Sequence, residues 1–268
     1  MAGRNWEDHS HEIKELIGSM KPVHLAELSG NLQDRYDEKY HVPAGIFQAL
    51  LEGVAGDYRV LDVEGVRDYA YVSTYLDLPG FPMFLAHHNG KKERYKVRFR
   101  RYVHSGKVYL EVKHKINKGK TIKKRIVRPA EEEHLSGISV GFLRTWTPFD
   151  PLQMRAVLRV SFSRITLAAP GGKERITWDH GLRFSYGGKE VGLPGFGVME
   201  IKHEGRKHNS PMTRLLSRYR IFPAGFSKYC TGILLLYPEV KYNRFKPLLR
   251  KLKTERYDVT ATAHGGRG

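Results

Sequence analysis

From Arg94 to Arg100 the apolar residues recur at every second position. In RYKVRFRRY, Tyr95, Val97 and Phe99 hold one parity and Arg94, Lys96, Arg98 and Arg100 the other. That is the period of a β-strand with one apolar face. The split repeats in four more segments. In YLEVKHKI, Glu111, Lys113 and Lys115 oppose Val112 and Ile116; in TIKKRIV, Lys123 and Arg125 oppose Ile122 and Ile126. In ERITWDH, Arg175, Thr177 and Asp179 oppose Ile176 and Trp178; in VMEIKHE, Glu200 and Lys202 oppose Met199 and Ile201. HSG, NKGK and APGGKE supply turns between strands. DRYDEKYHVP alternates too, YAYVSTYLDLP is a β-branched and aromatic run ending at Pro79, and RAVLRVSFSRITLA pairs as a hairpin with RITWDHGLRFS.

Helical spacing appears at the two ends. Ile13, Leu16 and Ile17 mark an N-terminal helix, and Ile46, Phe47, Leu50 and Leu51 form the stripe of PAGIFQALLEGV. The pattern turns helical again from NSPMTRLLSRYR to NRFKPLLRKLK. In between, Pro129–Leu135 reads as an acidic, helix-prone piece followed by a Trp/Pro linker, and His87 and His88 read as loop residues. GGKEVGLPGFG reads as a hairpin loop, because it does not follow a strand and open a helix as a phosphate loop does. The sum is an α+β chain with about eight largely antiparallel strands. It predicts a helical lead-in over 1–30, one sheet-bearing domain over 31–256 and a flexible tail over 257–268.

Charge changes this picture. The 268 residues carry a formal +18, and the window Lys91–Arg128 alone holds sixteen Lys and Arg against Glu93 and Glu111. A field that concentrated attracts a polyanion. Two arrangements fit the strands. The charged faces look out to solvent, as on any half-exposed sheet, or they line the lumen of a closed barrel whose apolar faces pack on outer helices. The cationic bias and the supply of helices favour the barrel. A lumen lined by Lys and Arg is costly unless anions fill it, and a row of such groups matches a chain of phosphates. A carboxylate among them is useful when it holds a divalent metal that bridges phosphates.

Other chemistry is narrowed. The single cysteine, Cys230, lies in apolar KYCTGILLLYP and excludes a disulfide within the chain and a cysteine metal cluster. No signal-peptide core is present, and the longest apolar run, GILLLY, is far short of a membrane span. The expectation is a cytoplasmic, soluble protein. No P-loop, kinase motif set or HExxH spacing occurs. Tyr95, Phe99 and Trp178 fall on the apolar parity, which counts against base stacking and sequence-specific nucleic acid.

The ordered pieces RYDEKY, YVSTYLDLP, RYKVRFRRY, LEVKHK, IKKRI, SFSRITL, RITWDHGLRF, MEIKHEG, FSKYCTG and KYNRFKPLLRK, from Leu32 to Lys253, resemble the VTC-type polyphosphate polymerase domain. That family belongs to the CYTH, or triphosphate tunnel metalloenzyme, superfamily. The resemblance implies an antiparallel eight-stranded β-barrel tunnel, transfer of the γ-phosphate of ATP to polyphosphate, and a divalent ion, Mn²⁺ or Mg²⁺. ATP, triphosphate and polyphosphate are the implied partners, and a membrane-protein partner is compatible with it.

Residue by residue, the resemblance implies that Lys39, Lys113, Lys123, Arg164, Arg175, Lys202 and Ser227 bind phosphate. It implies that Lys228, Arg98, Arg100 and Glu200 carry the chemistry, with Glu200 as metal ligand. Lys124 is the alternative to Lys123. Arg159 is the alternative to Arg164, whose parity matches apolar Val160 and Phe162 unless a bulge intervenes. The tunnel triphosphatases' ExExK signature is altered here, with Arg35 and Asp37 on the parity of Lys39. Fewer carboxylates suit a polymerase better than a two-metal triphosphatase. A triphosphatase of the same fold and a non-catalytic polyphosphate-binding module are the alternatives.

Overall fold

The computed structural model describes residues 6–28, 35–117, 120–205 and 209–254. Its helices are α1 (Trp6–Ser19), α2 (Ala44–Val54), α3 (Pro82–His88), α4 (Gly137–Trp146), α5 (Pro211–Arg218), α6 (Lys228–Leu236) and α7 (Lys246–Thr254). Its strands are β1 (Pro22–Val23), β2 (Arg35–His41), β3 (Arg59–Leu61), β4 (Asp68–Asp77), β5 (Arg94–Tyr102) and β6 (Val108–Lys115). They continue with β7 (Thr121–Arg128), β8 (Arg155–Ala168), β9 (Glu174–Tyr186), β10 (Lys189–Leu193) and β11 (Val198–Glu204).

Eight of these strands are hydrogen-bonded in the order β2-β11-β9-β8-β4-β5-β6-β7. The short β1, β3 and β10 attach beside that path. The β2–β11, β11–β9, β4–β5, β5–β6 and β6–β7 pairs are antiparallel, and β1–β3 is parallel. The expected α+β class, with eight principal strands and flanking helices, is therefore present. The chain divides into two compact units. The first comprises Met1–Tyr69, Phe162–Leu182 and Leu193–Phe226; the second comprises Ala70–Ser161, Arg183–Gly192 and Ser227–Gly268. Strands β8 and β9 run through both.

In the first unit, Ile13 and Ile17 of α1, Phe47, Leu50 and Leu51 of α2, and Met212 and Leu216 of α5 bury against the strands. Ile176 and Trp178 of β9 and Met199 and Ile201 of β11 supply the sheet side of that core. These are the apolar parities read from the sequence, so the opposite parities carry the charges. Phe47 stacks on Trp178 with centroids 3.8 Å apart, and the indole N–H donates to the Val42 carbonyl at 3.1 Å. Gly197 is required there, because a Cβ would lie 2.2 Å from Trp178 Nε1 and 2.5 Å from that carbonyl.

In the second unit, Val97 and Phe99 of β5, Leu110 and Val112 of β6, and Val140 and Leu143 of α4 form one buried cluster. The helix in this region is α4, not Pro129–Leu135. The acidic piece does a different job: the Glu132 carboxylate accepts from the Ser136 N–H at 3.2 Å and the Ser139 hydroxyl at 2.5 Å, and so ties the piece to the start of α4. His87 and His88 also differ from expectation and end α3. That helix starts with Pro82 at its first position, and the Asp77 carboxylate accepts from the N–H groups of Met83 and Phe84, both at 3.2 Å. Burial lowers His87 to about 3, and nearby Lys96 and Arg94 add to the effect, so it is neutral and structural.

Three further segments refine the reading. Pro22–Val23 pairs with Val60–Leu61 within the expected lead-in. GGKEVGLPGFG does form a hairpin, with β10 paired to β9. The basic C-terminal helix begins only at Lys246, after a 3₁₀ turn over Asn243–Phe245. The tail expected over 257–268 lies outside the described residues.

Candidate active site

In the second unit the register of β4 to β7 turns the sequence alternation into rows. Tyr75, Arg98, Glu111 and Arg125 face one another across four strands. One step along, Lys96, Lys113 and Lys123 form the next row. On β5, β6 and β7 this face holds Arg94, Lys96, Arg98, Arg100, Lys113, Lys115, Lys123 and Arg125 against Glu111 alone. Arg98 Nε donates to Glu111 Oε2 at 2.8 Å, Nη2 lies 2.7 Å from the same oxygen, and Nη1 donates to the Tyr75 hydroxyl at 3.1 Å. Arg100 Nε lies 3.9 Å from Glu111 Oε2 and donates to Ser73 at 3.4 Å.

Helix α6 adds its N-terminus to this group. Ser227 caps it by accepting from the Cys230 N–H at 3.2 Å, and it also accepts from Lys96 Nζ at 2.8 Å. Lys228 is the first helical residue. Tyr229 follows and donates to the buried carboxylate of Asp77, which ties α6 to β4. Burial pushes the Lys96 ammonium below its ordinary value, with Arg98 and Arg94 adding to the shift. Burial also works against the charge of Glu111, but Arg98 and Arg100 outweigh it and hold the carboxyl below its usual range. For Tyr75, burial opposes ionisation, and Arg98, Arg100 and Lys96 together override it and lower the phenol.

In the first unit the register sets Lys39, Glu200 and Thr177 in one row and Asp37, Lys202 and Arg175 in the next. Lys39 donates to Glu200 Oε2, and Lys202 pairs with Oε1, so both oxygens face an ammonium. Lys202 also lies 3.6 Å from Asp37. Arg164 forks onto Asp179, with Nε to Oδ1 at 2.5 Å and Nη2 to Oδ2 at 2.8 Å. Arg175 donates to the Leu28 carbonyl. Burial lowers the Lys39 ammonium, and Asp37 and Asp179 pull it back in part.

The VTC domain family matches residues 34–138 and 149–237. The chain belongs to that family. No curated protein matches it. Among solved structures, a candidate adenylate cyclase from Bacillus halodurans is similar at 13% identity and a TM-score of 0.49, over 76% of this chain and 100% of that one. A candidate adenylyl cyclase from Hippeastrum, for which a dominant triphosphatase activity is stated, is similar at 12% identity and a TM-score of 0.48, over 76% and 99%. A candidate adenylate cyclase from Vibrio parahaemolyticus is similar at 13% identity and 0.43, over 73% and 95%.

Within this VTC domain, the expected residues fall into two groups. Arg98, Arg100, Lys113, Lys123, Ser227 and Lys228 belong to the second unit; Lys39, Arg164, Arg175, Glu200 and Lys202 belong to the first. Both open alternatives gain a geometry. Lys124 lies 4.3 Å over the Trp146 ring on the α4 side, whereas Lys123 shares the row of Lys113. Along β8 the buried parity shifts from Leu158, Val160 and Phe162 to Ile165 and Leu167. Arg164 therefore lies opposite the core, on Asp179, while Arg159 is half-exposed beside Glu131. Arg101, the residue that breaks the alternation of β5, is off the cationic face and lies 3.7 Å from Glu131.

Sequence reasoning assigned no role to Glu111, Tyr75, Asp77 or Asp179. The first and last stand on the charged parity, which was the available signal. Tyr75 and Tyr109 are aromatics that do share the cationic face, Tyr109 with the Arg125 guanidinium 4.6 Å over its ring. Among the described residues no group of three or more His, Cys, Asp or Glu side chains could hold a metal ion. At Glu200 a single carboxylate stands with one oxygen paired to Lys39 and the other to Lys202.

Proposed function

We propose that this VTC domain, over residues 31–256, is an ATP-dependent polyphosphate polymerase that works inside a basic, metal-dependent tunnel. The observation that carries the reading is the face of β5, β6 and β7, where eight Lys and Arg share a surface with one carboxylate. The protein's own groups leave that surface strongly positive, and a chain of phosphates supplies matching charge at matching spacing. Phosphoryl transfer needs little covalent help from the protein; positioning and charge neutralisation do most of the work.

In this mechanism Arg98 and Arg100 bind equatorial phosphate oxygens through their guanidinium donors, and Lys113 and Lys123 hold the chain as point charges. Lys228, at the N-terminus of α6, stabilises charge that develops on the transferred group, with Ser227 fixing the helix start. Lys39, Arg164, Arg175 and Lys202 bind further phosphate oxygens. Glu200 holds the divalent ion, Mn²⁺ or Mg²⁺, which when bound supplies positive charge to phosphate oxygens. For Glu200 to do so, Lys39 and Lys202 must turn from its oxygens toward phosphate, which their flexible stems permit.

The proposed reaction is cytoplasmic; separately, among the described residues no helix is long and apolar enough to cross a membrane. The test is incubation of purified protein with ATP and Mn²⁺, following polyphosphate and free phosphate together. Polymer formation supports the proposal. Phosphate release without polymer makes the protein a triphosphatase, and tight polyphosphate binding with neither product makes it a binding module.

A further inference from the structure

On the β5–β7 face Glu111 has cations on three sides: Arg98 and Arg100 from β5 and Arg125 from β7. A carboxylate on a phosphate-binding surface repels the ligand, so its presence there needs a reason. Balancing charge in the empty protein is one, but one carboxylate against eight cations balances little. The contacts of Arg98 suggest another. Its Nε–H is given to Glu111 Oε2, Nη2 lies 2.7 Å from the same oxygen, and one N–H of Nη1 is given to Tyr75. Of five guanidinium N–H groups, two are then donated to the protein, and Nη2 is paired with Glu111. Each terminal nitrogen keeps an N–H to offer, and such a pair can make the end-on fork that matches two oxygens of a phosphate.

We propose that Glu111, together with Tyr75, is a positioning residue that orients the Arg98 guanidinium so that its terminal fork faces the phosphate chain. The inference rests on the reading that phosphates lie along this face. Surrounding groups favour the arrangement. Arg98 and Arg100 keep the carboxylate ionised against its burial, and Tyr75 is itself held by stacking on Tyr229, with centroids 5.1 Å apart. Tyr229 is in turn tied to Asp77. The tether of Arg98 therefore ends on the same fixed point as the start of α6.

The test is a double-mutant cycle on tripolyphosphate binding by calorimetry, without metal or ATP, in wild type, Arg98→Lys, Glu111→Gln and the double variant. An oriented fork is worth more than a point charge, so Arg98→Lys weakens binding about tenfold in wild type and less than about threefold in the Glu111→Gln background. An equal loss in both backgrounds overturns the proposal. Should Glu111→Gln fail to fold, Tyr75→Phe takes its place in the cycle, with a coupling of about threefold expected and no coupling contradicting it. Manganese binding, read by electron paramagnetic resonance, is unchanged in Glu111→Gln; lost affinity makes Glu111 a metal ligand and overturns the proposal. No turnover is needed, so the cycle and the polymerase assay fail independently.

Discussion

On β2, β9 and β11 of the first unit, Lys39, Lys202 and Arg175 share a face with Asp37, Glu200 and Asp179. On β5, β6 and β7 of the second, eight Lys and Arg share theirs with Glu111. Both faces arise from the same strand alternation, and both have an apolar back packed on helices. They differ in their balance of charge. In the first unit the ammonium groups of Lys39 and Lys202 close on Glu200, and the Arg164 fork closes on Asp179. In the second, the one carboxylate is shared by the arginines around it, and a large positive excess remains. Of the eight, Arg94, Lys96, Arg98 and Arg100 are half-buried, and Lys113, Lys115, Lys123 and Arg125 are exposed. Under the proposed function the second face takes the polyanion, and the first sets Glu200 among cations that turn toward phosphate.

The largest effect in the second unit is expected at Lys228, which follows the Ser227 cap. Lys228→Ala lowers kcat by about a hundredfold with a much smaller change in KM, if charge stabilisation in the transition state is its role. An unchanged kcat removes it from the chemistry. Lys113→Ala weakens tripolyphosphate binding by roughly tenfold and lowers the slope of log affinity against log salt by about one, as for the loss of one phosphate contact. A slope equal to that of wild type sets Lys113 outside the bound chain.

The smallest effect concerns pH. Burial lowers both Lys39 and Lys96 from their ordinary 10.5. Between the lowered value and 10.5 the unfolded chain holds these protons and the folded, empty protein does not, so stability of the empty protein rises with pH there. Phosphate binding needs the charged form, so affinity for tripolyphosphate falls through the same window, by a few-fold per lysine. Lys96→Arg, which stays charged, flattens its share of that fall. A pH profile identical to wild type would show that Lys96 does not titrate against bound phosphate.

Much of this was legible in the sequence because alternation reports on faces. The parities of β5, β6, β7, β9 and β11 by themselves place Arg98, Lys113, Lys123, Arg175, Glu200 and Lys202 opposite the core. Alternation fails where the backbone shifts, as on β8, where Arg164 shares the parity of Phe162 yet lies opposite Ile165. It is also silent on register. That Glu111 stands between Arg98 and Arg125, or that Tyr75 reaches Arg98, follows from strand pairing alone. The missed helices have local causes. α3 is seven residues long and begins after Phe81, which takes a left-handed φ of 56°. The start of α4 is held by Glu132, four residues before Ser136, so the acidic residues lie outside the helix that they support.

The comparison of the two faces is tested most directly by Glu200→Gln. Tripolyphosphate affinity without metal and turnover of ATP with Mn²⁺ are measured on the same preparation. The account predicts that affinity stays within about threefold of wild type, because phosphate is held chiefly by the second unit's cations, while turnover falls by at least about a hundredfold with the loss of the ion's anchor. Full turnover with metal, or an affinity loss as large as that of Lys113→Ala, would contradict it.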